Sequence, residues 1–230
     1  LFISNTANVG GGVFHSATGD GRVINSLFAR NVGSASGASA LHLAATGQVD
    51  VVHTTIADPA WFAPDYNPSP AIQLETGGLS VTNTIISDHA IGIYNSAGTA
   101  AEDYNLFHSV GSIAVGLVTP GGHDQYPATS PYVNPLNDNY HLQAGLDAID
   151  NGTDAGIHFD IDGQPRPIGP GYDIGYDEYG FSIQLEIDRT APGGTVFIPS
   201  GEYTESLTLD KPVSLIGLGA NPPIVHAVFN

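Results

Sequence analysis

Residues 78–98 read GLSVTNTIISDHAIGIYNSAG. Within this stretch Leu79, Val81, Asn83 and Ile85 alternate with Ser80, Thr82 and Thr84, which is the period-two pattern of a strand with one face buried. The same cassette recurs through residues 1–117: a short apolar strand, a Gly, then a second short strand in which Asn or His accompanies Ser or Thr. A repeat of this length is the first thing to weigh in a sequence, because it sets the architecture.

Two ladders of apolar positions emerge. One runs through Val13, Leu41, Ile72, Ile93 and Val115, advancing by 28, 31, 21 and 22 residues. The other runs through Leu27, Thr55, Ile85 and Leu106, advancing by 28, 30 and 21, with Val23, Val51 and Val81 just ahead of it. Because the ladders stretch and shrink together, they belong to the same coils. From the first ladder to the second the chain always takes 13 or 14 residues, so all the length variation falls on the return path. A parallel stack accounts for this: one coil cannot bury its apolar side alone, but coils about 4.8 Å apart share a continuous core. Asn25, His53 and Asn83 fall in register as stacked polar residues, read as partners for the backbone of a turn rather than as catalytic groups.

Composition agrees with an all-β chain. There are 29 Gly and 16 Pro among 230 residues, with 41% apolar residues for a core. The formal charge of −18, with only 5 Lys and Arg, excludes nucleic acid as a partner, since phosphate neutralisation needs clustered cations. A polyanionic sugar is repelled as well unless a cation bridges it. The absence of Cys removes disulfides. With no Met in the sequence, Leu1 is not an initiator, and the chain is read as a mature product or an excised part of something longer. No apolar run reaches the length of a transmembrane helix.

Residues 119–140, rich in Gly, Pro, Asn and Asp, read as a linker. Beyond them stand YHLQAGLDAIDNGTDAG (140–156), DIDGQPRPIG (160–169) and DIGYDEYG (173–180). These motifs resemble the choice-of-anchor module that closes many bacterial right-handed parallel β-helix surface proteins of the pectate-lyase-like type. Residues 182–217, SIQLEIDRTAPGG followed by TVFIPSGEYTESLTLDKPVSLIG, are similar to the beginning of the same fold, a short capping helix and first rungs. The resemblance implies an all-β, single-stranded right-handed parallel β-helix, a solenoid, with a capping helix near 182–190. Its parts are coils over 1–118, a linker and anchor-like module over 119–180, and the start of a following or neighbouring stack over 181–230. End precedes beginning in this order. The expectation is therefore a secreted, cell-surface structural or adhesive protein, not a self-contained enzyme, that pairs head-to-tail with itself or stands as one of several tandem copies.

Three clusters carry candidate chemistry. Asp160, Asp162, Asp173 and Asp177, with Glu178 and Asp147, Asp150 and Asp154 nearby, form the densest acidic group, and Asp-x-Asp-Gly at 160–163 has the oxygen spacing that Ca²⁺ favours. The rest of an EF-hand loop is missing, and a solvated series of Asx turns is the competing reading. Arg30, Asp58 and Asp88 share one coil position, so Arg30 is expected over Asp58 and Asp58 over Asp88. Two carboxylates about 5 Å apart would suit a retaining glycosidase, which makes a polysaccharide lyase or glycoside hydrolase the alternative function. A surface ion pair with a second acid beside it is the favoured reading. The loop 58–70, DPAWFAPDYNPSP, offers Trp61, Phe62 and Tyr66 for a cell-surface glycan or a partner. The nine His show neither an H-E-x-x-H nor a paired Cys/His spacing, so the sequence lends a zinc site no support.

Overall fold

A computed structural model describes residues 1–33, 37–58, 69–219 and 221–226. The aromatic loop candidates Trp61, Phe62 and Tyr66 lie outside the described residues. Among those that are described, the chain is mostly strand with one α-helix, Ile183–Arg189, and no helix is long and apolar enough to cross a membrane.

Two parallel sheets dominate. The larger follows the order Phe2–Ile3, Leu27–Ala29, Thr55–Ala57, Ile85–Asn95, Ile72–Leu74, Leu41–Leu43, Val13–His15, with Leu106–Val115 joined to Ile85–Asn95. The smaller runs Val118–Pro120, Thr99–Asp103, Gly78–Thr82, Gln48–Val52, Gly21–Ile24. Leu41 pairs with Val13 and Ile72, Thr55 with Leu27 and Ile85, and Val51 with Val23 and Val81. These are the partners the spacings indicate. At the end of the first ladder the register differs by one residue, since Ile93 pairs with Ala114 rather than Val115.

The expected fold class needs correction: the described chain is not one single-stranded right-handed parallel β-helix but a set of separate sheets. The 11-residue strand Ile85–Asn95 runs from one ladder to the other, pairing with Thr55–Ala57 at its start and Ile72–Leu74 at its end. Seven strands are thereby fused into a single parallel path of the kind seen in α/β-like sheets. Small residues allow this long pairing. A Cβ on Gly92 would lie 2.7 Å from the Ile113 carbonyl, and one on Gly111 would lie 2.8 Å from the Ala90 carbonyl.

Beyond Pro120 the large sheets stop. Tyr132–Asn134 and Asn139–Leu142 pair antiparallel, and two isolated parallel pairs follow, Thr195–Ile198 with Ser214–Gly217 and Glu202–Thr204 with Ile224–His226. The helix sits near the expected 182–190, ahead of the strand Thr195–Ile198. Its Ile183 and Ile187 pack with Val196 and Ile198 in a small core of their own.

Between the two sheets lies the main core, which includes Phe28, Leu41, Ile56, Ile72, Leu79, Val81, Ile86 and Ile93. Each fully buried aliphatic or aromatic side chain here contributes about 1.5–3 kcal/mol. The neighbours of Phe28, Ile56 and Ile86 point the other way. Leu27, Ala29, Ala57, Ile85 and Leu106 meet Tyr132, Tyr140, Leu142, Ile174 and Tyr176 on the opposite face of the large sheet. Strands buried on both faces have consecutive apolar residues, as in Leu27-Phe28, Ile85-Ile86 and Leu106-Phe107. The second ladder of the sequence is thus a seat for residues 130–176.

Candidate functional site

Residues 140–180 are held to the large sheet partly by the stacked polar turn. Asn25, His53 and Asn83 occupy left-handed backbone at φ 45°, 45° and 49°, a conformation that Asn and His tolerate better than most residues. Asn83 Oδ1 accepts from Thr153 N at 2.9 Å, and its Nδ2 donates to the Thr153 carbonyl at 2.7 Å. The same Nδ2 is 2.9 Å from His53 Nε2. Burial drives the His53 pKa down to about 3, and the Arg166 charge adds to that effect. These side chains are structural partners of the backbone.

At the centre of the stretch Arg166 is fully buried, with NH1 2.7 Å from Glu178 Oε2, and it also donates to the Gly175, Asp177 and Asp173 carbonyls. Glu178 Oε1 accepts from Ile168 N at 2.9 Å. Burial pushes Glu178 up and Arg166 down, and each is opposed by its partner. A pair this deep is costly to form and costlier to break.

The four expected Ca²⁺ ligands divide into two kinds. Asp160 Oδ1 accepts from Asp162 N and Gln164 N at 2.9 and 2.7 Å, while Oδ2 accepts from Glu178 N at 3.1 Å. Asp173 accepts from Asp150 N at 2.8 Å and from Tyr179 N. Burial, helped by the neighbouring Glu178 charge, pushes Asp173 up to about 8. Both carboxyls thus accept backbone N–H groups that hold turns. Asp162 and Asp177 do converge, on His141, a residue the acidic pattern of the sequence did not single out. One ligand atom from each of the three lies within 4.8 Å of the others. His141 and Asp177 also line a groove of about 1460 Å³, which is bounded further by Tyr179, Phe181, Tyr203 and Glu205.

Arg30, Asp58 and Asp88 do not line this groove. Arg30 and Asp88 occupy equivalent left-handed positions at φ 53° and 58°, but the Arg30 guanidinium pairs with Asp138 at 2.7 Å. The antiparallel strands carrying Tyr132 and Tyr140 lie close to this turn. Tyr132 Oη is 3.0 Å from Ser87 Oγ, and Tyr140 is fully buried. Burial raises Asp88 and pushes Tyr140 up to about 12; Arg30 opposes the Tyr140 shift, while Asp138, Asp58 and Asp88 add to it. The carboxylates therefore share their turn with a tyrosine-bearing hairpin and an ion pair.

Two further features lie at the ends of the sheets. Phe2–Ile3, Val13–His15 and Gly21–Ile24 each pair on one side only among the described residues, and they are half-buried where the strands behind them are buried. Phe14 is 50% exposed. Among the described residues Ser214–Gly217 and Ile224–His226 also pair on one side only, and every residue in them is exposed. Neither a scan of protein-family models nor searches of curated proteins and of solved structures give a match.

Proposed function

We propose that this chain is an extracellular structural or adhesive protein whose open parallel sheet edges pair with further copies of itself, as a filament or as one of several tandem units. A single observation carries the reading: the terminal strand pairs are apolar yet uncovered, with Leu215, Ile216, Ile224 and Val225 at 37%, 46%, 50% and 39% exposure. At the other end, Phe2–Ile3, Val13–His15 and Gly21–Ile24 leave parallel edges unpaired among the described residues. Unpaired edges are templates for another strand, and contact between unlike ends propagates instead of closing. A charge of −18 keeps such a chain soluble until its ends meet, and it leaves the flanks suited to cation-bridged rather than direct contact with acidic glycans.

Light scattering across a concentration series, with electron microscopy of the concentrated end, tests this. Particles should grow with concentration into fibres of uniform width. Ile216→Asp with Val225→Asp should hold the chain monomeric without lowering its main melting transition. A wild-type chain that stays monomeric at its highest soluble concentration rules the proposal out.

A further inference from the structure

We infer that His141, Asp162 and Asp177 form a binding site for a divalent transition ion of the Zn²⁺ type. The argument starts from Asn139. Its Oδ1 accepts from the backbone N of His141 at 3.2 Å, which fixes the amide oxygen toward that residue, and the same oxygen is 2.9 Å from ring Nδ1. Nδ1 therefore carries a hydrogen and donates it. In the neutral imidazole Nε2 then presents only a lone pair, and it faces Asp162 Oδ2 at 2.7 Å and Asp177 Oδ1 at 4.0 Å.

Three ligand atoms thus converge, one from each side chain, all within 4.8 Å of one another. Nε2 meets Asp162 at hydrogen-bond distance while Asp177 Oδ1 stands off at 4.0 Å, whereas a metal ion would take one atom from each of the three. The surroundings hold the ligands in place: Leu142 N donates to Asp177 Oδ2 at 2.7 Å, and the Tyr176 ring lies 5.9 Å from the His141 ring. A metal-bound His whose second nitrogen donates to a fixed oxygen is the usual outer-shell arrangement.

Ligand chemistry selects the ion. Ca²⁺ takes six or more oxygens, and the carboxylates that would supply them, Asp160 and Asp173, are spent on backbone N–H groups. One imidazole and two carboxylates suit Zn²⁺ or a neighbouring first-row ion. Three protein ligands leave a fourth position exchangeable, at the rim of the groove that His141 and Asp177 help to line. That position takes water or an oxygen donor, a carboxylate or a hydroxyl, from whatever occupies the groove. The ion also joins the strand Asn139–Leu142 to the turns carrying Asp162 and Asp177. None of this depends on the assembly of copies through the sheet edges.

The test is calorimetric titration of Zn²⁺, and separately of Ca²⁺, into the chelator-treated full chain. One Zn²⁺ per chain is expected, lost in His141→Ala and in Asp162→Asn, and weakened about 10-fold or more in Asn139→Ala. Asp162 is 41% exposed at its side chain, so its substitution leaves the fold intact, and melting curves of all three variants check this. Absence of stoichiometric Zn²⁺ uptake overturns the inference. So does uptake that survives both His141→Ala and Asp162→Asn, or displacement of Zn²⁺ by an equal concentration of Ca²⁺.

Discussion

Gly78–Thr82 lies between two parallel neighbours and buries Leu79 and Val81, whereas Ser214–Gly217 pairs in the same parallel way on one side and exposes all four residues. The hydrogen-bond pattern is common to both regions; the layers around it are not. Gly78–Thr82 has the large sheet over its apolar face, and the large sheet in turn has residues 130–176 against Leu27, Ala29, Ala57, Ile85 and Leu106 on its far face. Residues 181–226 have a short helix and a core of four buried side chains, Ile183, Ile187, Val196 and Ile198. Strand pairing alone is marginal in water, and packing against a further layer decides stability. Among the described residues the C-terminal pairs therefore lack the layers that cover Gly78–Thr82.

The largest expected effect lies in the covered region. Arg166→Ala leaves Glu178 buried without its partner and should cost roughly 3–5 kcal/mol, read from the denaturant midpoint of the whole chain. If the midpoint barely moves while the 140–180 stretch alone becomes protease-sensitive, that stretch folds separately from the sheets and the comparison must be redrawn. The exposed pair Arg189–Glu186, at 3.6 Å, should contribute about 0.5 kcal/mol or less when it is removed.

A matched pair of truncations sharpens the contrast. Leu41 is fully buried between neighbouring rungs, and Leu41→Ala should cost about 2–5 kcal/mol through lost transfer energy and the cavity left behind. Leu215→Ala, on the uncovered strand, should stay within about 0.5 kcal/mol when the chain is dilute. A large loss at Leu215 in dilute solution would show that this strand is already covered in the monomer.

The same contrast explains what the sequence discloses. Val23, Val51 and Val81, or Leu41 and Ile72, are legible as partners because one face of each strand is apolar and the other polar, so alternation sets the register. Alternation fails at Leu27-Phe28, Ile85-Ile86 and Leu106-Phe107, where both faces are buried and nothing local says which side meets which layer. It also fails at Ser87–Ile91. Polar residues there lie between the two ladders, within one strand that carries a left-handed residue, Asp88 at φ 58°. In the acidic stretch the residue types were legible and their duties were not. Whether an Asp holds a turn, as Asp160 does, or converges with ligand atoms of other side chains, as Asp162 does with His141 and Asp177, depends on which backbone N–H groups lie within reach. His141 joins them from a strand more than twenty residues earlier in the chain, a distance no spacing rule spans.

The smallest effect tests the covered region by its charge. Glu102 sits on Thr99–Asp103, the strand beside the Val118–Pro120 edge, and is only 5% exposed. Burial pushes its carboxyl up to about 7, with the Asp124 charge adding to the shift and the 2.9 Å hydrogen bond from Asn105 Nδ2 opposing it. A carboxyl raised in this way binds its proton more tightly in the folded chain than in the unfolded one. Its contribution to stability is complete below the ordinary value of 4.5 and is lost as pH rises through 7. Wild-type melting temperature should therefore drift downward between weakly acidic and weakly alkaline pH. Glu102→Gln keeps an acceptor for Asn105 and cannot ionise, so its melting should depend less on pH. The two should meet in acid, and the variant should lead in alkali by on the order of 1 kcal/mol, or about 2–4 °C, a figure discounted for water reaching the site. Equal slopes in the two proteins would mean that Glu102 ionises freely, and that the sheet at this edge is open to solvent like the strands at the C-terminal end.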